Sequence, residues 1–113
     1  MKFLIVDDNE QFRSYLKELV VKKGDEFREL DDGLEVNSVY AEFKPDLVLL
    51  DIQMKKMNGL VAGELLKSSF PDARFIIVSN FFDKRFCRIA KSIGAEALIS
   101  KENLEELYKL TQC

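Results

Sequence analysis

The feature of this sequence that most constrains its fold is an alternation of short, β-branched apolar runs with longer segments of helical period. Five apolar runs indicate strands, at residues 2–6, 27–30, 46–50, 75–78 and 97–99. Each is followed by a segment in which apolar residues recur every three or four positions, which is typical of an amphipathic helix. The alternation predicts an α/β fold in which five βα units form a parallel sheet wrapped by helices.

The predicted helices have identifiable apolar positions and boundaries. Asn9 is a candidate N-cap of the first helix, with Gly24 as its stop, and Gly94 ends the fourth. The apolar positions, in chain order, are Phe12, Leu16, Leu19 and Val20; Val36, Val39, Tyr40 and Phe43; Leu60, Leu65 and Leu66; Phe82, Phe86, Ile89, Ala90 and Ile93; Leu104, Leu107, Tyr108 and Leu110.

Size and charge exclude several classes of protein. With 113 residues, 47% of them hydrophobic, the chain is long enough for one domain with its own core. A net charge of −3 leaves no broad basic surface, so direct binding of nucleic acid is not expected. Cys87 and Cys113 are too few for a disulfide framework and favour a reducing compartment. Because acids break the first apolar run, we expect neither a signal peptide nor a membrane span. A cytoplasmic protein is therefore expected.

Polar side chains follow four of the five predicted strands. Asp7 and Asp8 follow the first strand, Asp51 the third, Ser79 the fourth and Lys101 the fifth. A lone acid after a strand is usually a helix cap or a loop residue. Open α/β sheets, however, bind ligands at the carboxyl ends of their strands, so these side chains together predict one functional site.

This set of residues resembles the receiver domain of two-component response regulators over essentially the whole chain, residues 1–113. The motifs that carry the resemblance are Asp7-Asp8, Asp51, Asn58-Gly59, Ser79, Gly94-Ala95 and Lys101. The resemblance implies a flavodoxin-like (βα)5 fold, a doubly wound parallel sheet with strand order 2-1-3-4-5. It also gives a chemical reason for the adjacent acids Asp7 and Asp8.

Converging carboxylates raise one another's pKa unless a cation lies between them. The resemblance implies that this cation is Mg²⁺, a hard ion that prefers oxygen ligands and retains water. Its implied ligands are Asp8 and Asp51 directly, Asp7 through water, and the backbone carbonyl of Gln53.

The resemblance further implies that Asp51 is a phosphoacceptor. Its carboxylate would take a phosphoryl group from a phosphohistidine on a sensor histidine kinase or a phosphotransfer protein. Lys101 would offset charge on the transferred group, and the Ser79 hydroxyl would donate to a phosphoryl oxygen. The output would be a change of shape read by a downstream effector at the face of the fourth helix, fifth strand and fifth helix. Turnover of a substrate is not expected, and homodimerisation stays open.

The sequence departs from the family pattern near the predicted site. Lys55 and Glu102 replace common prolines, and Leu98 stands where an aromatic residue usually switches position. We expect the signal to pass instead through Ser79 and the loop after the fourth strand.

Two further residues bear on the lifetime of the phosphorylated form. Asn80, at a position that is usually small, should narrow the path of the phosphodonor. Phe81 should shield the phosphoryl group from water, since its ring offers no hydrogen bond to a water molecule. The aromatic residues after the fourth strand are otherwise expected to lie mostly in the core.

The same residues bear on other functions. The alternative is an interaction module on the same fold that signals without phosphorylation. An aspartyl phosphatase would need an acid at position 53, where the chain has Gln53, and a flavodoxin would not place Asp7 and Asp8 beside a flavin phosphate. The second acid pair, Asp31-Asp32, indicates a structural turn. Since the sequence stops after the fifth helix, we expect a stand-alone receiver or a piece of a longer regulator.

Overall fold

The sheet has the strand order that the resemblance implies. A computed structural model describes residues 1–112, and the prediction for Cys113 lies outside them. Five parallel strands are ordered β2-β1-β3-β4-β5. Their bounds are Lys2–Val6 for β1, Glu26–Leu30 for β2, Leu47–Leu50 for β3, Phe75–Ser79 for β4 and Ala97–Ser100 for β5. The flavodoxin-like α/β prediction is therefore confirmed.

One α-helix follows each strand. The helices are α1 (Glu10–Val20), α2 (Val36–Phe43), α3 (Gly59–Ser69), α4 (Lys84–Ser92) and α5 (Leu104–Gln112), with a short 3-10 helix, Gly33–Glu35, before α2. Side-chain oxygens of Asn9, Asn58 and Asp83 cap α1, α3 and α4 by accepting backbone N–H groups of the first turn. None of the helices within residues 1–112 is both long and apolar enough to cross a membrane.

The core lies on both faces of the sheet, because successive side chains of a strand point to opposite sides. On β1, Leu4 and Val6 join the cluster beneath α2, α3 and α4, while Phe3 and Ile5 join the cluster beneath α1 and α5. All four are at most 1% exposed. Burial on both faces explains why β1 is a continuous apolar run rather than an alternating one.

Several predicted core positions are exposed. Phe82 precedes α4 and is 54% exposed, because Asp83 rather than an earlier residue caps that helix. Tyr108 and Leu110 on α5 are also exposed, and Leu104 and Leu107 provide the buried contacts. The predicted helix α5 is therefore confirmed, but its buried face is narrower than the apolar positions in the sequence predict.

Candidate functional site

The pairing of β1 with β3 brings two acids side by side. Val6 pairs with Leu50 at the carboxyl ends of these strands. The next residues are Asp7 and Asp51, and the Asp51 N–H donates to the Val6 carbonyl at 3.0 Å. The acids are adjacent because the two strands are parallel neighbours that end in the same register.

Three carboxylates converge at this edge. One oxygen from each of Asp7, Asp8 and Asp51 lies within 4.8 Å of the others. Asp7 is 1% exposed and Asp51 6% exposed, whereas Asp8 is open to solvent. Two buried acids with an exposed third form a pocket that a cation can enter from the side of Asp8.

The environment of Asp51 disfavours its charged form. Burial, together with the negative charge of Asp7 and a smaller effect of Asp8, raises the pKa of Asp51 from 3.8 to about 6. Lys101 and the N–H of Ile52, which donates to Asp51 Oδ1 at 2.9 Å, act in the opposite direction. Burial and repulsion have the larger effect, so ionising Asp51 costs more free energy in the folded chain than in water.

Lys101 enters the same pocket from β5. Ser79 pairs with Ser100, and the Lys101 N–H donates to the Ser79 carbonyl at 2.9 Å, which fixes the backbone at this point. The Lys101 ammonium nitrogen lies 2.8 Å from Asp7 Oδ2 and 3.6 Å from Asp51 Oδ1. One cation thus contacts both buried acids.

Ser79 ends β4 at the same edge of the sheet. It is 1% exposed, and its Oγ atom accepts a hydrogen bond from the Phe81 N–H at 2.9 Å. This contact uses an oxygen lone pair and leaves the hydroxyl hydrogen out of the bond. The loop after β4 is therefore anchored to the Ser79 side chain.

The loop between β3 and α3 is held close to Asp51 by a glycine. The Gly59 N–H donates to the Ile52 carbonyl at 2.8 Å. A Cβ atom on Gly59 would overlap the backbone carbonyl oxygen of Asp51. Residue 59 must therefore be glycine for this loop to close over the strand end, which gives the Asn58-Gly59 motif a physical reason.

The second acid pair supports the site without joining it. Asp32 accepts backbone N–H bonds from Leu34, Lys56 and Met57 at 2.7–3.0 Å. Although burial raises the pKa of Asp32, these three bonds hold it below its usual value. The structural role predicted for this pair is consistent with these contacts, and Asp32 braces the β3–α3 loop.

Sequence reasoning missed Arg13. Its guanidinium donates to the backbone carbonyl of Asp7 at 2.6 Å and pairs with Glu29 on β2 at 3.1 Å. Asp7 also accepts the N–H of Asn9 at 2.8 Å. Arg13 lies one helical turn after the Asn9 cap, and that spacing is the sequence signal that would have pointed to it.

A mostly apolar groove opens beside Asp8. It has a volume of about 620 Å³ and is lined by Asp8, Ile52, Gln53, Met54, Lys55, Asn58, Leu60, Phe81 and Phe86. The Phe81 and Phe86 rings contact each other with centroids 5.7 Å apart. Phe81 is therefore at the mouth of the site, away from the core, with 39% of its surface exposed.

The residues present fit Mg²⁺. All three side chains supply carboxylate oxygens, the ligands this ion prefers, and the exposed Asp8 leaves room for retained water. Burial and the negative charge of Asp7 raise the pKa of Asp51, and a cation bound between these acids would oppose both effects by stabilising the charged carboxylate. Among the described residues, these three acids thus form a cluster that could hold a metal ion of this kind.

Two known proteins with similar sequences are a chemotaxis protein and a transcriptional regulatory protein. The chain is 36% identical to the chemotaxis protein CheY of Thermotoga maritima over 88% of its own length and 84% of that protein. It is 35% identical to the uncharacterized transcriptional regulatory protein YhcZ of Bacillus subtilis over 99% of its length. It spans 54% of YhcZ, about half the length of that relative.

Solved structures share the fold. The response regulator domain of Thermotoga maritima CheB superposes with a TM-score of 0.84 at 26% identity, covering 98% of this chain and 95% of that one. CheY in a CheX-CheY-BeF3-Mg complex from Borrelia burgdorferi gives a TM-score of 0.87 at 24% identity, over 97% and 88% of the two chains. The sequence pattern of the response regulator receiver domain matches residues 3–112. This chain therefore belongs to the receiver domain family of two-component response regulators.

Proposed function

We propose that residues 1–113 form one phosphoacceptor domain that receives a phosphoryl group on Asp51. The donor is a phosphohistidine of a sensor histidine kinase or a phosphotransfer protein. The observation that carries the proposal is the contact of one ammonium, that of Lys101, with two buried carboxylates, Asp7 at 2.8 Å and Asp51 at 3.6 Å. Arranging two acids and a cation at a strand end has an unfavourable desolvation cost, which a purely structural role does not require.

In the proposed reaction an Asp51 oxygen attacks the phosphorus atom of phosphohistidine. The new oxygen–phosphorus bond forms as the phosphorus–nitrogen bond breaks, and the leaving imidazole takes up a proton. Lys101 compensates charge on the transferred oxygens, and the Ser79 hydroxyl donates to one of them after transfer. The product is an acyl phosphate on Asp51.

Asp7, Asp8 and Asp51, with the backbone carbonyl of Gln53, would hold Mg²⁺. When bound, this ion neutralises developing charge on the phosphoryl oxygens. The chain's own residues place Asp51 beside the other two acids, and Lys101 and the Ile52 N–H partly offset the burial and repulsion that disfavour its charged form.

The proposed output is a shape change rather than turnover of a substrate. Phosphorylation would alter the Ser79 hydrogen bond to the Phe81 N–H, and the loop after β4 would transmit that change to the face of α4, β5 and α5. A downstream effector would bind there.

Mass spectrometry after incubation with acetyl phosphate and Mg²⁺ tests this function. We expect the parent chain to gain one phosphoryl group and Asp51→Asn to gain none. Asp31→Asn, a change of an exposed acid in the second pair, is the matched control and should be phosphorylated like the parent. Phosphorylation of Asp51→Asn to the same extent as the parent would disprove the acceptor assignment. No gain by any chain, with or without Mg²⁺, would favour an interaction module that signals without phosphorylation.

A further inference from the structure

The Lys101 ammonium has an aromatic neighbour that the proposed reaction does not use. Its nitrogen lies 4.2 Å from the centroid of the Phe12 ring, well within the range of a cation–π contact. The Lys101 side chain is only 12% exposed, so water screens this contact weakly.

The Phe12 ring is held in place independently of Lys101. The Phe12 N–H donates to the Asn9 cap at 2.9 Å, in the first turn of α1. The ring packs against the core cluster beneath α1 and α5. The exposed Tyr15 ring lies beside it, with ring centroids 6.2 Å apart. A ring fixed on several sides can restrain a flexible partner.

Lys101 is that flexible partner. Its backbone is fixed by the Ser79 carbonyl, but four side-chain carbons separate that anchor from the ammonium. The nitrogen is within hydrogen-bond distance of Asp7, at 2.8 Å, but not of Asp51, at 3.6 Å. To donate a hydrogen bond to Asp51, the ammonium has to move closer to it than it lies here.

We propose that Phe12 is a positioning residue for phosphotransfer, whose ring face holds the Lys101 ammonium between Asp7 and Asp51. A hydrogen-bond acceptor fixes one position, whereas the face of a ring attracts a cation over its whole area. The ammonium can therefore move from Asp7 towards Asp51 without losing its aromatic partner. This inference rests on the proposed function of Asp51.

Fluorination of the Phe12 ring separates this role from simple packing. Fluorine atoms withdraw electron density from the ring face and weaken cation binding while changing the size of the side chain little. We expect phosphate uptake from acetyl phosphate to slow stepwise with monofluoro- and trifluorophenylalanine at position 12, reaching about fivefold for the latter. Phe12→Tyr should retain the parent rate and Phe12→Leu should not.

The chain contains a matched control. Lys17 lies 5.0 Å from the centroid of the Phe27 ring, a second cation–π pair on α1 and β2 that is outside the acid pocket. The same fluorinated residues at position 27 should leave uptake unchanged. Equal rates along the series at position 12, or equal losses at positions 12 and 27, would overturn the proposal.

A readout in the unphosphorylated protein keeps this proposal separate from the function it rests on. The NMR order parameter of the Lys101 ε-methylene group should fall along the fluorinated series at position 12 and in Phe12→Leu. If the parent chain takes up no phosphate but the order parameter falls as expected, the proposed function fails and the positioning contact stands. An unchanged order parameter in Phe12→Leu would overturn the contact itself.

Discussion

The ammonium nitrogen of Lys101 lies 2.8 Å from Asp7 Oδ2, although the two residues are 94 positions apart in the chain. Asp7 is 1% exposed and its other oxygen accepts only the Asn9 N–H among the hydrogen bonds described for that side chain within residues 1–112. The contact therefore ties the first strand to the last and compensates a buried charge.

Removing this cation should destabilise the fold. Lys101→Met leaves Asp7 buried without its counter-ion, and we expect the free energy of unfolding to fall by about 2–4 kcal/mol near neutral pH. Urea unfolding in the presence of a chelator measures it. Lys109→Met is the control, since Lys109 pairs with Glu105 on the surface at 3.6 Å and should change stability by less than about 0.5 kcal/mol. Equal losses in both variants would contradict the prediction.

The raised pKa of Asp51 should make stability pH-dependent. The folded chain binds this proton more tightly than the unfolded chain, whose pKa is near 3.8, so stability is lost as pH rises from 3.8 to about 6. Above this range, without Mg²⁺, Asp51→Asn should be more stable than the parent by about 1–3 kcal/mol. Below pH 3.8 the difference should largely vanish.

Urea unfolding of both chains across this pH range, with a chelator present, provides the measurement. Asp72→Asn, a change of an exposed acid, should follow the parent at every pH. If the free energy of unfolding of the parent instead rises between pH 3.8 and 6 relative to that of Asp51→Asn, the sign is reversed. That result would refute a raised pKa of Asp51 in the folded chain.

Gly59→Ala should damage the site and the fold together. Its Cβ atom would overlap the Asp51 carbonyl oxygen, and the loop that follows β3 would have to move. We expect a loss of about 3 kcal/mol in the free energy of unfolding and weaker binding of Mg²⁺, measured by calorimetry. Gly24→Ala is the control: its φ of +93° costs about 1–2 kcal/mol, but no atom lies within 4 Å of the added group, so Mg²⁺ binding should be unchanged.

Phe81 should lengthen the life of the acyl phosphate. Its ring contacts Phe86 at the mouth of the site, where we expect it to exclude water without supplying a base. Phe81→Ala should therefore lose phosphate several-fold faster than the parent in a dephosphorylation time course. Phe82→Ala is the matched control, because Phe82 is the next residue in the chain and does not line this groove. A dephosphorylation rate of Phe81→Ala equal to or slower than that of the parent would show that the ring does not shield the phosphoryl group.

The neighbouring Asn80 should limit uptake rather than loss of phosphate. Asn80 is exposed directly after Ser79, and we expect its side chain to narrow the approach of the donor. Asn80→Ala should speed uptake from acetyl phosphate and leave the dephosphorylation rate close to that of the parent. Unchanged uptake would show that this side chain is not a gate.

Signalling without an aromatic switch should use the backbone. Leu98 is 9% exposed within β5 and has no ring to reorient. We expect a beryllofluoride mimic to shift amide NMR signals along the loop after Ser79 and over residues 82–88, and Ser79→Ala to reduce those shifts. Silent signals over 82–88 in the parent would exclude this route.

The alternation of strands and helices and the residues at the strand ends followed from the sequence, and the strand order followed from the family resemblance that those residues carry. Apolar runs such as that of β1 are buried on both faces, and local composition is enough to indicate this. The motifs at Asp7, Asp51 and Lys101 pointed to one edge because parallel strands end together. Boundaries were less certain: α1 ends at Val20, and Gly24, with φ of +93°, forms the following turn instead of the helix stop that was predicted.

Only the tertiary structure decided how the side chains at that edge contact one another. Arg13 on the Asp7 carbonyl and Phe12 against Lys101 depend on where α1 crosses the sheet, which no local pattern encodes. The exposure of Phe82 likewise depends on the loop before α4. Sequence periodicity determines which elements form, because it reflects local geometry. Packing determines which charged groups meet, at what distance and how deeply buried, because these contacts form between residues far apart in the chain.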